Sequence, residues 1–219
     1  MPTPYRAAIV TVSDSVAQGT RQDVSGPAVA RLLEADGWTI NSSEVLPDDF
    51  TLIRERLEAL AGNSEIDAIF TTGGTGVGPR DRTPEATTSV MERSLPGLAE
   101  LMRREGLKKT PRAALSRAVA GVKGKTMLIN LPGSPEGAED SLKAILPILS
   151  HAVDVVRGEV GHEPVEGAAT EEAAPESARA EFSPTSSAPA DTSPATEDTS
   201  EPEEKSEGNT EGVGNQRPV

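Results

Sequence analysis

A chain of 219 residues without a single cysteine has no disulfide, no thiolate metal site and no cysteine nucleophile. Its net charge of −14 argues against a nucleic-acid surface, and an aromatic content of 2% leaves too few rings for the stacking platforms of single-strand binders. About −11 of that charge falls in residues 163–219, where 14 acids meet 3 bases, so the preceding residues are nearly neutral and long enough to bury a core that must be aliphatic.

Met1–Arg6 lacks the apolar h-region and small-residue cleavage site of a signal peptide, and no segment is apolar over the length of a bilayer; a cytoplasmic, membrane-free location is expected. Ala7–Val12 is a short apolar run suited to a buried parallel strand. Ser25-Gly26-Pro27 opens a helix through about Ala35, with Val29, Leu32 and Leu33 on one side and Gly37 placed to stop it. Thr39–Leu46 is a second strand. Asp48 or Asp49 caps the next helix, which carries Leu52, Ile53, Leu57 and Leu60 and ends at Gly62. Asp67–Thr71 is a third strand. Thr83 is expected to cap a helix with Pro84 at its first position. Shorter helical pieces follow over Gly97–Glu105 and Pro111–Leu115. Lys125–Leu131 is a further strand, and a long helix runs from Glu136 to Arg157, where Pro147 is expected to kink or split it.

Near Gly161 the composition shifts to Pro, Glu, Ser, Thr and Ala, with Phe182 alone among large aromatic side chains. Such a segment buries too little apolar surface to offset its ordering entropy, so residues 163–219 are expected to form a disordered acidic tail behind a domain over residues 1–162.

Strand and helix alternate through the domain, which predicts a layered α/β fold with a mostly parallel sheet. Ligands of such sheets sit outside the C-terminal ends of the strands. Four loops occupy that position: Ser13-Asp14-Ser15, Leu46-Pro47-Asp48-Asp49, Thr72-Gly73-Gly74-Thr75-Gly76 and Pro132-Gly133-Ser134-Pro135. Together they read as one composite pocket.

The third of these loops carries the most chemistry. Glycine lets the main chain approach an anion closely, and successive backbone N–H groups can cradle a phosphate. Gly73–Gly76 lacks the Lys-Ser/Thr of a Walker loop and the spacing of a dinucleotide fingerprint. Asp81, between Arg80 and Arg82, repels a phosphate unless a divalent cation sits between them, so it is either a surface ion-pair partner or a Mg²⁺ ligand. Asp48 and Asp49 are helix caps, or one of them faces the pocket. Ser13 and Asp14 form a turn or border the same pocket. Ser134 starts a helix or offers a hydroxyl and N–H to an anion. The two histidines, His151 and His162, lie in or at the end of a helix, so a histidine base is not expected.

Taken together, Thr71-Thr72-Gly73-Gly74-Thr75-Gly76, Pro79-Arg80-Asp81-Arg82-Thr83-Pro84-Glu85-Ala86-Thr87, Leu115-Ser116-Arg117 and Leu128-Ile129-Asn130-Leu131-Pro132-Gly133-Ser134 resemble the MogA/MoaB family of molybdenum cofactor biosynthesis proteins, including the matching domains of gephyrin and its plant counterpart. Val12-Ser13-Asp14 and Pro47-Asp48 extend the match, which spans residues 5 to about 160 and omits the tail. The resemblance implies a three-layer α/β/α sandwich, a homotrimer and molybdopterin adenylyltransferase activity: Mg²⁺-assisted transfer of AMP from ATP to the terminal phosphate of molybdopterin. It implies Asp48 and Asp81 as catalytic, metal-placing residues and Gly73, Gly74, Thr75 and Gly76 as a phosphate cradle. Ser13, Asp14, Asn130, Gly133 and Ser134 would line the pocket, and Arg117 would clamp the pterin phosphate. A molybdate-inserting MoeA-like protein is the implied partner. The alternatives are a non-catalytic molybdopterin-binding or scaffolding MoaB-like paralogue and a CinA-like nucleotide pyrophosphatase.

Overall fold

The computed structural model describes residues 5–159, and the expected tail lies outside them. Six strands form one sheet: β1 (Arg6–Val12), β2 (Thr39–Leu46), β3 (Ala68–Thr72), β4 (Arg93–Ser94), β5 (Ala120–Lys123) and β6 (Thr126–Leu131), in the spatial order β2-β1-β3-β6-β5-β4. The pairs β2-β1, β1-β3 and β3-β6 are parallel; β5 is antiparallel to β6, and β4 to β5. The helices are α1 (Asp14–Ala17), α2 (Ser25–Ala35), α3 (Phe50–Ala61), α4 (Thr83–Val90), α5 (Pro96–Leu107) and α6 (Pro135–Arg157), with a 3₁₀ turn at Pro111–Leu115.

Because side chains alternate along a strand, each parallel strand serves two cores. Ile9, Phe70 and Ile129 face one layer and pack with Val29 and Leu33 of α2, Met102 of α5, and Leu142, Ile145 and Leu149 of α6. Their neighbours Val10, Ile69 and Leu128 face the other, against Ile53 and Leu57 of α3 and Ala86 and Val90 of α4. Both faces are covered, giving the expected α/β/α sandwich. Each fully buried Leu, Ile or Phe contributes about 1.5–3 kcal/mol.

At the edge opposite the loops, buried Asp67 receives the backbone N–H of Arg6 at 2.8 Å, the Arg6 guanidinium Nε at 3.2 Å and the Arg157 guanidinium, whose nearest ion-pair approach is 2.5 Å. Arg157 also lies 5.2 Å from the centre of the Tyr5 ring, and the Tyr5 hydroxyl donates to Asp154 at 3.0 Å. This cluster ties the last turn of α6 to the start of β1 and β3.

Three local expectations are corrected. Pro147 does not split α6, which runs unbroken for 23 residues. Proline removes one intrahelical bond, but Lys143, whose carbonyl is freed, is exposed, while Leu142, Ile145 and Leu149 hold the helix to the sheet. The strands β4 and β5 are additions to the expected set; β5 and β6 form a hairpin around Gly124-Lys125, a glycine turn between two apolar runs. Finally, Thr83 is the first residue of α4 and Arg82 its cap, with no side-chain capping bond.

Candidate functional site

The parallel strands end in register, Val12 opposite Leu46 and Thr72 opposite Leu131, so the loops that follow them start side by side. Backbone bonds then join the loops. Ser13 N–H donates to the Leu46 carbonyl at 2.8 Å, Gly73 N–H to that of Leu131 at 3.2 Å, and the Thr72 hydroxyl to that of Pro132 at 2.7 Å.

Glycine is required at two points of the third loop. Gly73 has φ +105°, and a Cβ there would collide with the Val12 carbonyl. Gly74 has φ +62°, and a Cβ there would collide with Thr83 Oγ1 and sit 3.0 Å from Asp48 Oδ1. Both residues adopt a backbone that L side chains rarely tolerate. Thr75 is buried and Gly76 half-buried behind them.

The choice between Asp48 and Asp49 is decided by capping. Asp49 accepts the N–H of Leu52 at 3.0 Å and caps α3, leaving Asp48 turned toward Gly74. Asp48 and Asp14 clasp each other, each backbone N–H donating to the other's carboxylate at 3.0 Å. Arg80 forks onto the Asp14 carboxylate at 2.8–3.1 Å. Asp81 Oδ2 accepts the N–H of Gly78 at 2.7 Å.

Burial pushes the Asp48 carboxyl above its ordinary value; the backbone bond from Asp14 and the Arg80 charge oppose this, while the charges of Asp14 and Asp81 add to it. A raised folded pKa means the folded state holds the proton more tightly than the unfolded one, so this group's contribution to stability declines as pH rises through that window. The charged carboxylate is thus an electrostatic cost that a bound cation would relieve. Asp48→Asn, which keeps an acceptor for Asp14 N–H, is expected to match or exceed the wild-type melting temperature at pH 7, as thermal unfolding monitored by circular dichroism would show.

Two clefts meet here. One, of about 330 Å³, is bordered by Ser13, Asp48 and Gly73; the other, of about 890 Å³, by Gly76, Arg112 and Ser116. Gly74, Asp81, Gly133 and Ser134 border both. Ser134 also caps α6 by accepting the N–H of Gly137 at 3.3 Å.

Three expected binding residues, Asp14, Asn130 and Arg117, border neither cleft; Asp14 lies between Asp48 and Arg80 in the bonds just described. Asn130 is fully buried; its amide donates to the Thr71 and Thr87 hydroxyls at 2.8 Å each and accepts from Val119 N–H, so it joins β3, α4 and β6 from inside and does not reach either cleft. The Arg117 guanidinium is spent on the loop itself. It donates to the carbonyls of Gly76 at 2.6 Å and Asp81 at 2.7 Å and pairs with Glu85, so it positions Gly76–Asp81 and is not a free anion clamp. Two further residues border the site. Arg21 and Asp23 border the smaller cleft, where Asp23 accepts from the Thr11 hydroxyl at 2.7 Å and the Gly26 N–H at 3.0 Å. The Asp-x-x-Gly spacing ahead of a helix could have signalled this capping bond. Nothing in the local pattern marks Arg21. Thr83 is fully buried behind Gly74 and borders neither cleft.

Among the described residues, no group of three or more His, Asp or Glu side chains is arranged to cage a metal ion. Asp23, Asp48 and Asp81 border the smaller cleft, and Asp81, Glu136, Glu139 and Asp140 the larger. None of the described helices is long and apolar enough to cross a membrane.

Residues 8–151 match the family described as "probable molybdopterin binding domain". A molybdopterin adenylyltransferase of Helicobacter pylori (strain J99) is 38% identical over 154 residues, covering 68% of this chain and 86% of that protein. Among solved structures, the molybdopterin biosynthesis enzyme MoaB of Thermus thermophilus aligns at 50% identity and TM-score 0.67, covering 70% of this chain and 97% of that one. A MogA structure aligns at 43% identity and TM-score 0.66, covering 69% and 99%.

Proposed function

The chain belongs to the molybdopterin-binding domain family of molybdenum cofactor biosynthesis, and we propose that it is a molybdopterin adenylyltransferase working at the junction of the two clefts. One cleft takes ATP and the other molybdopterin. The observation that carries this reading is the shared border Gly74–Asp81–Gly133–Ser134, which lets two substrates meet at one place. The terminal phosphate oxygen of the pterin attacks the α-phosphorus of ATP. The new P–O bond forms as the bond to the β-phosphate oxygen breaks, and pyrophosphate leaves. Such an in-line displacement depends on alignment and on neutralising charge.

Gly73–Gly76 lets backbone approach the phosphates, and Arg117 holds that loop from behind. Asp48 and Asp81 would hold Mg²⁺, which when bound screens the phosphate charge. A two-carboxylate set suits an ion that completes its shell with water and phosphate oxygens, and the cost of charging Asp48 fits a cationic occupant. The homotrimer, the hand-off to a molybdate-inserting MoeA-like protein and the cytoplasmic location are part of the same reading. The 219-residue chain given Mg²⁺, ATP and molybdopterin is expected to release pyrophosphate, measured by a coupled phosphate assay. Binding of molybdopterin without turnover above that of Asp81→Ala would instead identify a binding-only paralogue.

A further inference from the structure

Asp14 borders neither cleft, yet its polar groups are all taken. Its backbone N–H, the first of α1 and so without a partner inside that helix, donates to Asp48 Oδ2 at 3.0 Å. Its carboxylate accepts the Asp48 N–H at 3.0 Å and a fork from the Arg80 guanidinium, Nε at 3.1 Å and one terminal nitrogen at 2.8–2.9 Å. Arg80 in turn is the residue before Asp81. A continuous chain of bonds therefore runs from Asp48 through Asp14 and Arg80 to Asp81, although Asp14 stands 34 residues from Asp48 and 66 from Arg80 in sequence.

The two ends of that chain are alike. Asp48 spends Oδ2 on the Asp14 N–H, and Asp81 spends Oδ2 on the Gly78 N–H at 2.7 Å; the Oδ1 of each takes no hydrogen bond among the described residues. Both border the smaller cleft. The fork that links them lies toward solvent, with the Arg80 side chain 66% exposed and that of Asp14 35%. An exposed ion pair contributes little to stability. A two-pronged arginine–carboxylate pair nevertheless fixes direction as well as distance. This one fixes the loop after β3 against the start of α1, which Asp48 clasps. Among the described residues, no hydrogen bond joins residues 75–82 directly to residues 46–49, so the fork is their tie.

We propose that the Asp14–Arg80 fork is a brace that sets the separation of the Asp48 and Asp81 carboxylates, which makes Asp14 and Arg80 positioning residues of the transfer reaction. This rests on the reading of Asp48 and Asp81 as the metal-placing pair. Arg117 holds the Asp81 turn from its other side, through the carbonyls of Gly76 and Asp81, and makes no bond to Asp14 or Asp48. The brace supplies what that arginine cannot, a fixed relation between two carboxylates on different loops. Partners that stand behind metal-binding groups typically change affinity by about 10–100-fold when they are lost.

Two substitutions break the fork and leave the clasp. Arg80→Gln removes the guanidinium; Asp14→Asn removes the charge it grips but still accepts the Asp48 N–H, and the Asp14 N–H is untouched. The test is Mn²⁺ binding to the 219-residue chain with a non-hydrolysable ATP analogue, followed by electron paramagnetic resonance, in wild type, both single variants and the double variant. Melting temperature is measured in parallel. Each single variant is expected to bind Mn²⁺ about tenfold more weakly, and the double variant also about tenfold, because all three lose one and the same link. Melting temperatures are expected to stay within about 2 °C of wild type. A loss of about a hundredfold in the double variant means that the two residues act separately and overturns the brace. Weakening in one single variant only overturns it too: in Arg80→Gln alone it marks a direct phosphate contact, in Asp14→Asn alone an effect of that charge. Wild-type affinity in both variants, or a melting temperature that falls in step with affinity, likewise overturns it. Absence of Mn²⁺ binding by the wild type itself would strike the two-aspartate reading and the brace with it, an outcome distinguishable from failure of the brace alone.

Discussion

Asp81→Asn is expected to lower the rate of adenylyl transfer by about 10²–10³-fold with the fold intact, the range seen when one group that stabilises transition-state charge is removed. The substitution is a narrow one. Asparagine still offers an oxygen to the Gly78 N–H that Asp81 accepts at 2.7 Å, so the Gly76–Asp81 turn keeps its bond. Arg117 still holds that turn through the Gly76 and Asp81 carbonyls, which the change does not touch. Only the charge is lost. The same variant carries a signature in pH. The Asp81 charge is one of the influences that raise the Asp48 carboxyl, so its removal shifts Asp48 downward, and the acid side of any residual activity or metal-binding profile moves to lower pH. Steady-state pyrophosphate release checks the rate, and circular dichroism checks the fold. A variant that unfolds would make Asp81 structural.

The largest stability effect is expected at the far end of the sheet. Asp67→Asn removes the anion from a cluster in which the Asp67 side chain is 6% exposed and that of Arg157 10%. Breaking a buried pair by removing one partner costs about 3–5 kcal/mol, because the remaining charge is left uncompensated. At about 2–4 °C per kcal/mol for a chain of this size, the melting temperature should fall by roughly 10 °C. Burial alone would push the Asp67 carboxyl up, but hydrogen bonds from Arg6 and Arg157 outweigh it and hold the group below its ordinary value. For a depressed carboxyl the stabilisation is present above the unfolded-state pKa, about 3.9, and is lost as pH falls through the folded value. The gap in melting temperature between wild type and Asp67→Asn should therefore be widest near neutrality and narrow below about pH 4. A gap independent of pH would assign the loss to packing.

Much of this architecture is legible in residues. Buried parallel strands advertise themselves as continuous apolar runs, and Ala7–Val12, Asp67–Thr71 and Lys125–Leu131 fall within a residue or so of β1, β3 and β6. Helix boundaries set by local chemistry are equally readable, as at Asp49 and Ser134. What local pattern cannot show is how one side chain is divided among several distant partners. Asn130 reads as a polar residue at a strand's end, yet Thr71, Thr87 and the Val119 N–H consume its amide. Arg117 reads as a cation near a pocket, yet two carbonyls and Glu85, far away in sequence, claim it. Pro147 reads as a helix breaker, but the contacts flanking it in the core override one missing bond. Short β4 and β5 depend on pairing with β6 and with each other more than on their own composition.

The central claim is that turns distant in sequence close around a triphosphate and its cation. A crystal soaked with Mg²⁺ and a non-hydrolysable ATP analogue tests it most directly. The expected result is a triphosphate lying against Gly73–Gly76, with the cation between it and the carboxylates of Asp48 and Asp81. A nucleotide bound with its phosphates away from Gly74, or a cation held by neither aspartate, would contradict it.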